Sequence, residues 1–338
     1  MGATLVALRE AKASPTQEFG CAIIYVALYS KKITGMTPNS ELSKMGLTRR
    51  HFIQWVLGLT LLPYLPFWGR EAGAQSLPAE KTPLSPPEKI ETGNAIGQFF
   101  DGEELTYEVG FWLIKRAALG RLSFKAMGKK GYYTATLQGE TLGVLGWVAR
   151  YRVDTYRSVM EEMDGGRSLR AVSFEEDVKV GNKINRRIHL FDYQRRTWTN
   201  KRLKKDGTWE VEEKEIPPGM VYDDFITASY NFRYGAYGSI ERGKKYAVAT
   251  FPRKGLSSYE VRIAPKEEEE RKRTSGEIRG GKDFLLRLKL DPEMTHSKEG
   301  LIEGWLSKDL CPTEGAIKDV SVLGDVKGTL IKRTVRSS

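Results

Sequence analysis

Leu105-Thr106-Tyr107-Glu108-Val109-Gly110-Phe111 is the stretch that decides the fold. Large apolar residues occupy every second position, continuing to Leu113, and Thr106, Glu108 and Gly110 fall between them. In extended chain successive side chains point to opposite faces, so this segment buries one face and wets the other. The same period recurs in Leu122, Phe124 and Ala126, and again in Tyr133, Ala135 and Leu137. Further strands are expected at 151–160, 170–178, 184–192, 196–203, 246–251, 257–264, 276–279 and 284–290. Gly128-Lys129-Lys130-Gly131, Gly181-Asn182, Asp206-Gly207 and Gly280-Gly281 separate them as turns. Asp206-Gly207 is expected to make a tight hairpin, because both positions tolerate positive φ. Alternation of this kind marks antiparallel sheets with one solvated face. The fold class is therefore mainly β: a large antiparallel curled sheet or half-barrel.

One segment departs from period two. After Pro217-Pro218-Gly219, the residues Tyr222, Phe225, Ile226, Ser229, Tyr230 and Arg233 recur at three- and four-residue spacing. This predicts one amphipathic helix near 221–234, covering the open side of the sheet. Asp223 and Asp224 are read as carboxylates of its first turn, favoured there by the helix dipole. Glu267-Glu268-Glu269-Glu270-Arg271-Lys272-Arg273 is read as an exposed hairpin tip, since like charges are costly to bury.

The N-terminal region carries an address. Thr48-Arg49-Arg50-His51-Phe52 resembles a twin-arginine export motif, with Arg49, Arg50 and Phe52 as its key residues. An apolar stretch from Trp55 to Trp68 follows, then Ala72-Gly73-Ala74 before Gln75. Small residues at Ala72 and Ala74 suit a signal peptidase, so cleavage is expected after Ala74. The expected organisation has residues 1–44 as an over-extended start or a disordered lead. Residues 45–74 form the signal, 75–97 a Pro-rich linker and 98–335 the β-rich domain. Met45 and Met36 are the alternative starts. The partner implied by the signal is the twin-arginine translocase, and the expected location is the periplasm or cell envelope. An uncleaved signal would instead anchor the chain in the inner membrane.

Several segments resemble a bacterial envelope family known as domain of unknown function 3108. The opening strand Gly102-Glu103-Glu104-Leu105-Thr106-Tyr107-Glu108-Val109 is similar to its Gly-Glu-x-Leu-x-Tyr-x-Val, and Ala118-Leu119-Gly120-Arg121-Leu122 to its small-Gly-x-Leu pattern. Tyr222 to Arg233 resembles its Asp-x-x-Ser-x-x-Tyr-x-x-Arg helix, with Thr227 or Ala228 where Ser is common. Glu303-Gly304-Trp305-Leu306-Ser307-Lys308-Asp309 is similar to its Trp-Leu-Ser-x-Asp strand end. Gly324 to Leu330 resembles its closing strand. Cys311-Pro312-Thr313-Glu314 departs from the family's Arg-x-Pro. The resemblance implies a β-rich envelope domain and supplies no catalytic mechanism.

Composition bounds the chemistry. The 338 residues carry a formal net charge of +11, two cysteines and three histidines. Loss of Cys21 with the signal would leave Cys311 without a disulfide partner. His189 and His296 stand in no metal-ligand spacing, so no metal and no cofactor is expected. No Gly-x-Ser-x-Gly elbow, phosphate-binding glycine loop or His-Glu-x-x-His occurs. Arg186-Arg187, Arg195-Arg196, Lys201-Arg202 and Lys204-Lys205 interleave with Phe191, Tyr193 and Trp198, a pattern found in nucleic-acid binders. Export and the acidic runs Glu210 to Glu215 and Glu267 to Glu270 argue against that partner. The leading expectation is a binding module holding a lipid or other apolar ligand. Its cavity lining would be Tyr107, Phe111, Phe124, Tyr133, Phe225, Tyr230 and Trp305. The alternatives are an envelope assembly factor acting through protein contacts, and a hydrolase of cell-wall or lipid material using Glu103, Asp223 and Asp309.

Overall fold

The computed structural model describes residues 94–335, apart from 112–113, 254–255, 275–281, 291, 296 and 321–322. The signal residues Arg49, Arg50, Phe52, Ala72 and Ala74 lie outside the described residues. So do residues 1–44, most of the 75–97 linker, the strand expected at 276–279 and the Gly280-Gly281 turn.

Fourteen strands form one antiparallel sheet among the described residues. The first eight are β1 (Glu104–Phe111), β2 (Ile114–Ala126), β3 (Tyr132–Thr141), β4 (Val153–Met163), β5 (Ser168–Val180), β6 (Lys183–Asp192), β7 (Thr197–Leu203) and β8 (Trp209–Glu215). The other six are β9 (Lys245–Arg253), β10 (Leu256–Ile263), β11 (Phe284–Lys289), β12 (Leu301–Leu306), β13 (Pro312–Val320) and β14 (Gly324–Thr334). Five short helices accompany them among the described residues: α1 (Ile96–Phe100), α2 (Gly143–Val148), α3 (Phe225–Tyr234), α4 (Lys266–Thr274) and α5 (Pro292–Thr295).

The spatial order is β8-β7-β6-β5-β4-β3-β2-β1-β14-β13-β12-β11-β10-β9. The chain walks outward from β1 to one edge at β8. It crosses by α3 to the other edge at β9, then steps back until β14 lies beside β1. Tyr107 of β1 thus faces Leu330 of β14. No pairing joins β8 to β9, so the sheet is open. It is nonetheless curled: the Phe251 ring of β9 lies 5.5 Å from Trp198 of β7 and 5.4 Å from Phe191 of β6, strands at the opposite end of the order.

The alternating burial read from the opening strand is present, with Leu105, Tyr107, Val109 and Phe111 buried. The hairpins follow their turn residues. Gly181, at φ +58, starts the two-residue link between β5 and β6, where Val180 faces Lys183. In the β7–β8 turn only Gly207 has positive φ, at +84. Asp206 contributes differently, its Oδ1 accepting from Thr208 N at 2.9 Å, as Asp does in turns.

The expected helix is α3. It starts at Phe225, because Asp224, in extended backbone, is its N-cap and Asp223 precedes the cap. The charge run at 267–273 is a helix rather than a hairpin tip. Its acids Glu267, Glu268 and Glu269 occupy the first turn of α4 and its bases Arg271, Lys272 and Arg273 the last, the arrangement the helix dipole favours. Glu269 is buried, accepting from Leu285 N at 3.1 Å and from Arg242 Nε at 2.9 Å. The folded region also begins before 98: Ile96 is fully buried, and its N–H donates to Gly166 O at 2.7 Å. Among the described residues no helix is long and apolar enough to cross a membrane.

Candidate functional site

All seven aromatic residues read as a cavity lining are buried. Tyr107, Phe111, Phe124, Tyr133, Phe225 and Tyr230 share the main core. Trp305 lies in a separate cluster with Ala264 and Leu285. The rings meet one another: Phe124 is 4.6 Å from Tyr230 and 5.3 Å from Tyr133, centroid to centroid. The Tyr107 hydroxyl donates to Pro312 O at 3.0 Å, tying β1 to β13.

A second aromatic group forms no part of the lining read from the sequence, where Phe191 and Trp198 stood out only among basic residues and Tyr222 only on the helix. Phe174, His189, Phe191, Trp198, Tyr222 and Phe251 form a wall between the two ends of the sheet. The signal for it was the same alternation, applied to β5, β6 and β7. Trp198 Nε1 donates to His189 Nδ1 at 3.2 Å, which leaves the imidazole proton on Nε2, 3.7 Å from Glu176 Oε1.

Beneath the rings, α3 is held by buried polar side chains. Asp224 Oδ1 accepts from Ile226 N at 2.8 Å and Thr227 N at 3.0 Å, a helix N-cap. Its Oδ2 accepts from Ser158 Oγ at 2.6 Å and Thr227 Oγ1 at 2.7 Å. Burial raises the Asp224 pKa, while these four donors pull it back. Asn231 acts as a substitute strand residue. Its Oδ1 accepts from Leu169 N and its Nδ2 donates to Leu169 O, both at 2.8 Å.

Asp223 is less well served. Its Oδ2 accepts from the Tyr237 hydroxyl and from Asn231 Nδ2 at 3.2 Å, but its buried Oδ1 has no partner. Burial first, and then the neighbouring Asp224 charge, push its pKa up to about 7. The two aspartates are the N-cap of α3 and the residue before it, not carboxylates of its first turn. Both sit in one buried polar cluster.

A third group centres on Arg233. Its Nη1 and Nη2 each donate to Glu103 at 2.7 Å, and its Nε donates to Leu310 O at 3.0 Å. Arg333 approaches Glu103 at 3.4 Å and also pairs with Asp309. Cys311, beside them, is buried, and burial raises its thiol to about 11, the opposite of an activated nucleophile. Ser307 and Asp309 shape the turn, with Ser307 Oγ accepting from Cys311 N at 3.1 Å. Of the three carboxylates read as hydrolytic, Glu103 and Asp309 are bridged by Arg333. Asp223 has no hydrogen-bond or ion-pair partner in common with either.

The segments carrying the family resemblance converge in this third group. The opening strand supplies Glu103, the helix supplies Arg233, and the Trp-Leu-Ser-x-Asp turn supplies Asp309 and Leu310. The sequence model of the family described as "Protein of unknown function (DUF3108)" matches residues 106–330. The chain belongs to this family. No curated protein matches it. The DUF3108 match begins in β1 and ends in β14, two strands that lie side by side. The DUF3108 unit therefore starts and finishes at the middle of the sheet. Glu103 and Arg333 stand three residues beyond its two ends and meet there.

Proposed function

We propose that this DUF3108 protein is exported by a twin-arginine signal and works in the bacterial envelope by holding an amphiphilic ligand, without catalysis. The observation that carries the reading is the aromatic wall where β9 folds over β5, β6 and β7. An apolar chain entering among Phe174, Phe191, Trp198 and Phe251 would bury its hydrocarbon against rings that now pack on one another and must part to admit it. Asp223 Oδ1 and Thr250 Oγ1 follow and precede wall residues Tyr222 and Phe251 in the chain. Both atoms are buried without a protein partner. They offer hydrogen-bonding positions to the polar end of such a ligand. The unpaired edges β8 and β9 are where such a ligand would enter.

Native mass spectrometry on protein purified from the envelope without detergent tests the ligand. A lipid-sized adduct that is lost in Phe174→Asp supports the reading. Ligand-free protein that also takes up no added fatty acid or phospholipid sinks it. Export is read separately by sequencing the N-terminus of the fractionated protein, where Gln75 is expected. Cytosolic protein retaining residues 1–74 would end that half of the proposal.

A further inference from the structure

Helix α2 is anomalous. Its six residues, Gly143-Val144-Leu145-Gly146-Trp147-Val148, contain no polar side chain, yet Val144 is 67% and Trp147 65% exposed. Val144, Trp147 and Val148 stand at i, i+3 and i+4, so they share one face of the helix, and that face is outward. Tyr151, 63% exposed, follows at once. These apolar groups are gathered at one place and not scattered singly, which in a folded domain marks a contact surface.

The backbone is bent to display them. Arg150 and Tyr151 take φ of +54 and +49, a left-handed pair without glycine, a strained backbone for residues with a Cβ. The pair is fixed by hydrogen bonds from Arg150 N to Trp147 O and from Gly181 N to Arg150 O, each 3.0 Å. Gly146 allows the tight approach: a Cβ there would lie 2.9 Å from Thr141 O. Leu142 N donates to Ala117 O at 2.9 Å, so the start of β2, the α2 loop and the β5–β6 turn share one end of the sheet.

The segments nearest α2 are basic, with Asp154 and Asp177 next to them in the chain and Asp319 and Asp325 at the β13–β14 turn. Residues 111–118, 142–153 and 178–184 contain Lys115, Arg116, Arg150, Arg152, Lys179 and Lys183 and no carboxylate. Arg152 is paired with Asp154 and Arg116 approaches Glu108, while Lys115, Arg150, Lys179 and Lys183 are exposed cations.

We propose that the α2 tip docks this protein on the surface of an anionic lipid bilayer. Trp147 and Tyr151 would enter the headgroup layer and the surrounding lysines and arginines would face lipid phosphates. Tryptophan and tyrosine favour that depth, and basic residues near a negative leaflet add attraction that salt screens. A fluid anionic surface meets cations spread over three separate turns without requiring a shaped counterpart, which an acidic protein would need. The docking is independent of any ligand held inside the sheet.

The test uses the full chain with vesicles of phosphatidylcholine alone or with 30% phosphatidylglycerol, a composition chosen for the assay, including brominated acyl chains. The Trp147 emission is obtained as wild type minus Trp147→Phe, so membrane binding by other segments does not enter it. That difference emission is expected to shift blue and be quenched on anionic vesicles. Quenching should weaken in high salt. Replacing Lys115, Arg150, Lys179 and Lys183 by Gln is expected to lower the lipid-dependent quenching about 10-fold at fixed lipid. Circular dichroism should show all variants folded, since every altered side chain is exposed. A Trp147 emission that stays unshifted and unquenched while the chain is on anionic vesicles overturns the proposal. Crosslinks from residue 147 to an acidic protein, with no quenching by lipid, would overturn it in favour of a protein partner.

Discussion

Arg233 and Glu103, 130 residues apart in sequence, meet in a two-point ion pair with both N–O distances at 2.7 Å and about 2% of either side chain exposed. The pair joins the end of α3 to the start of β1. The Arg233 guanidinium also lies 4.6 Å over the Phe100 ring, so its desolvated face is covered by an aromatic one. Burial opposes its charge, and Glu103 more than compensates, raising its pKa further.

Breaking this pair from one side is expected to be expensive. Glu103→Gln or Arg233→Met each leaves a buried charge without its counter-charge, which typically costs about 3–5 kcal/mol. The double replacement Glu103→Leu with Arg233→Met removes both charges and should cost less than the sum of the single changes. Urea unfolding of the three variants, compared at constant slope, checks this. Additive losses would show that the two side chains act separately.

Asn231 makes a different kind of join. Strand β6 pairs with β5 only from Ser173 onward, so no β6 residue is paired with Leu169. The Asn231 amide supplies the missing acceptor and donor. Asn231→Leu keeps the size of the side chain and leaves two buried backbone groups unpaired. At about 1–3 kcal/mol for each unsatisfied group, a loss near 3 kcal/mol is expected. Hydrogen exchange at the Leu169 amide should accelerate selectively. An unchanged Leu169 amide would mean that water or a relaxed backbone replaces the clamp.

Much of this architecture was legible in period two, because a strand with one buried face must alternate. Pairing order was not. Alternation states which face of β1 is buried but carries no information that β14 lies beside it. Glu103 and Arg233 were therefore both visible as motif residues without being visibly partners. The run at 267–273 misled for a related reason. Four adjacent glutamates repel in isolation, yet ordered acids-first and bases-last they suit a helix, and Glu269 finds Arg242 only through tertiary folding. The apolar α2 was missed because six residues are too few to establish a helical period.

Asp223 gives the sharpest dependence on pH. The groups facing it are Asp224 at the start of α3, Asn231 within the helix, Tyr237 after it and Tyr193 between β6 and β7. Tyr259 of β10 acts on Tyr237, and Arg170 of β5 lies 4.4 Å from the Tyr193 ring. Tyr193 donates to Tyr222 O at 3.2 Å, so among these neighbours only Arg170, stacked on Tyr193, is cationic. With a folded pKa of about 7 against an ordinary value of 3.8, Asp223 holds a proton in the folded state where the unfolded chain has released it. Its contribution to stability is thus fully present below about pH 4 and is lost as pH rises toward 7, at no more than about 1.4 kcal/mol per pH unit. Other carboxylates, such as Asp309, whose pKa Ser307 and Arg333 lower although burial opposes them, act in the opposite sense. The readout is therefore the difference between wild type and Asp223→Asn, in which the amide cannot titrate. The wild type should lose stability relative to the variant between pH 4 and pH 8, measured by urea unfolding across that range. Parallel stability curves would mean that Asp223 is ionised throughout, with its second oxygen satisfied by a donor such as water.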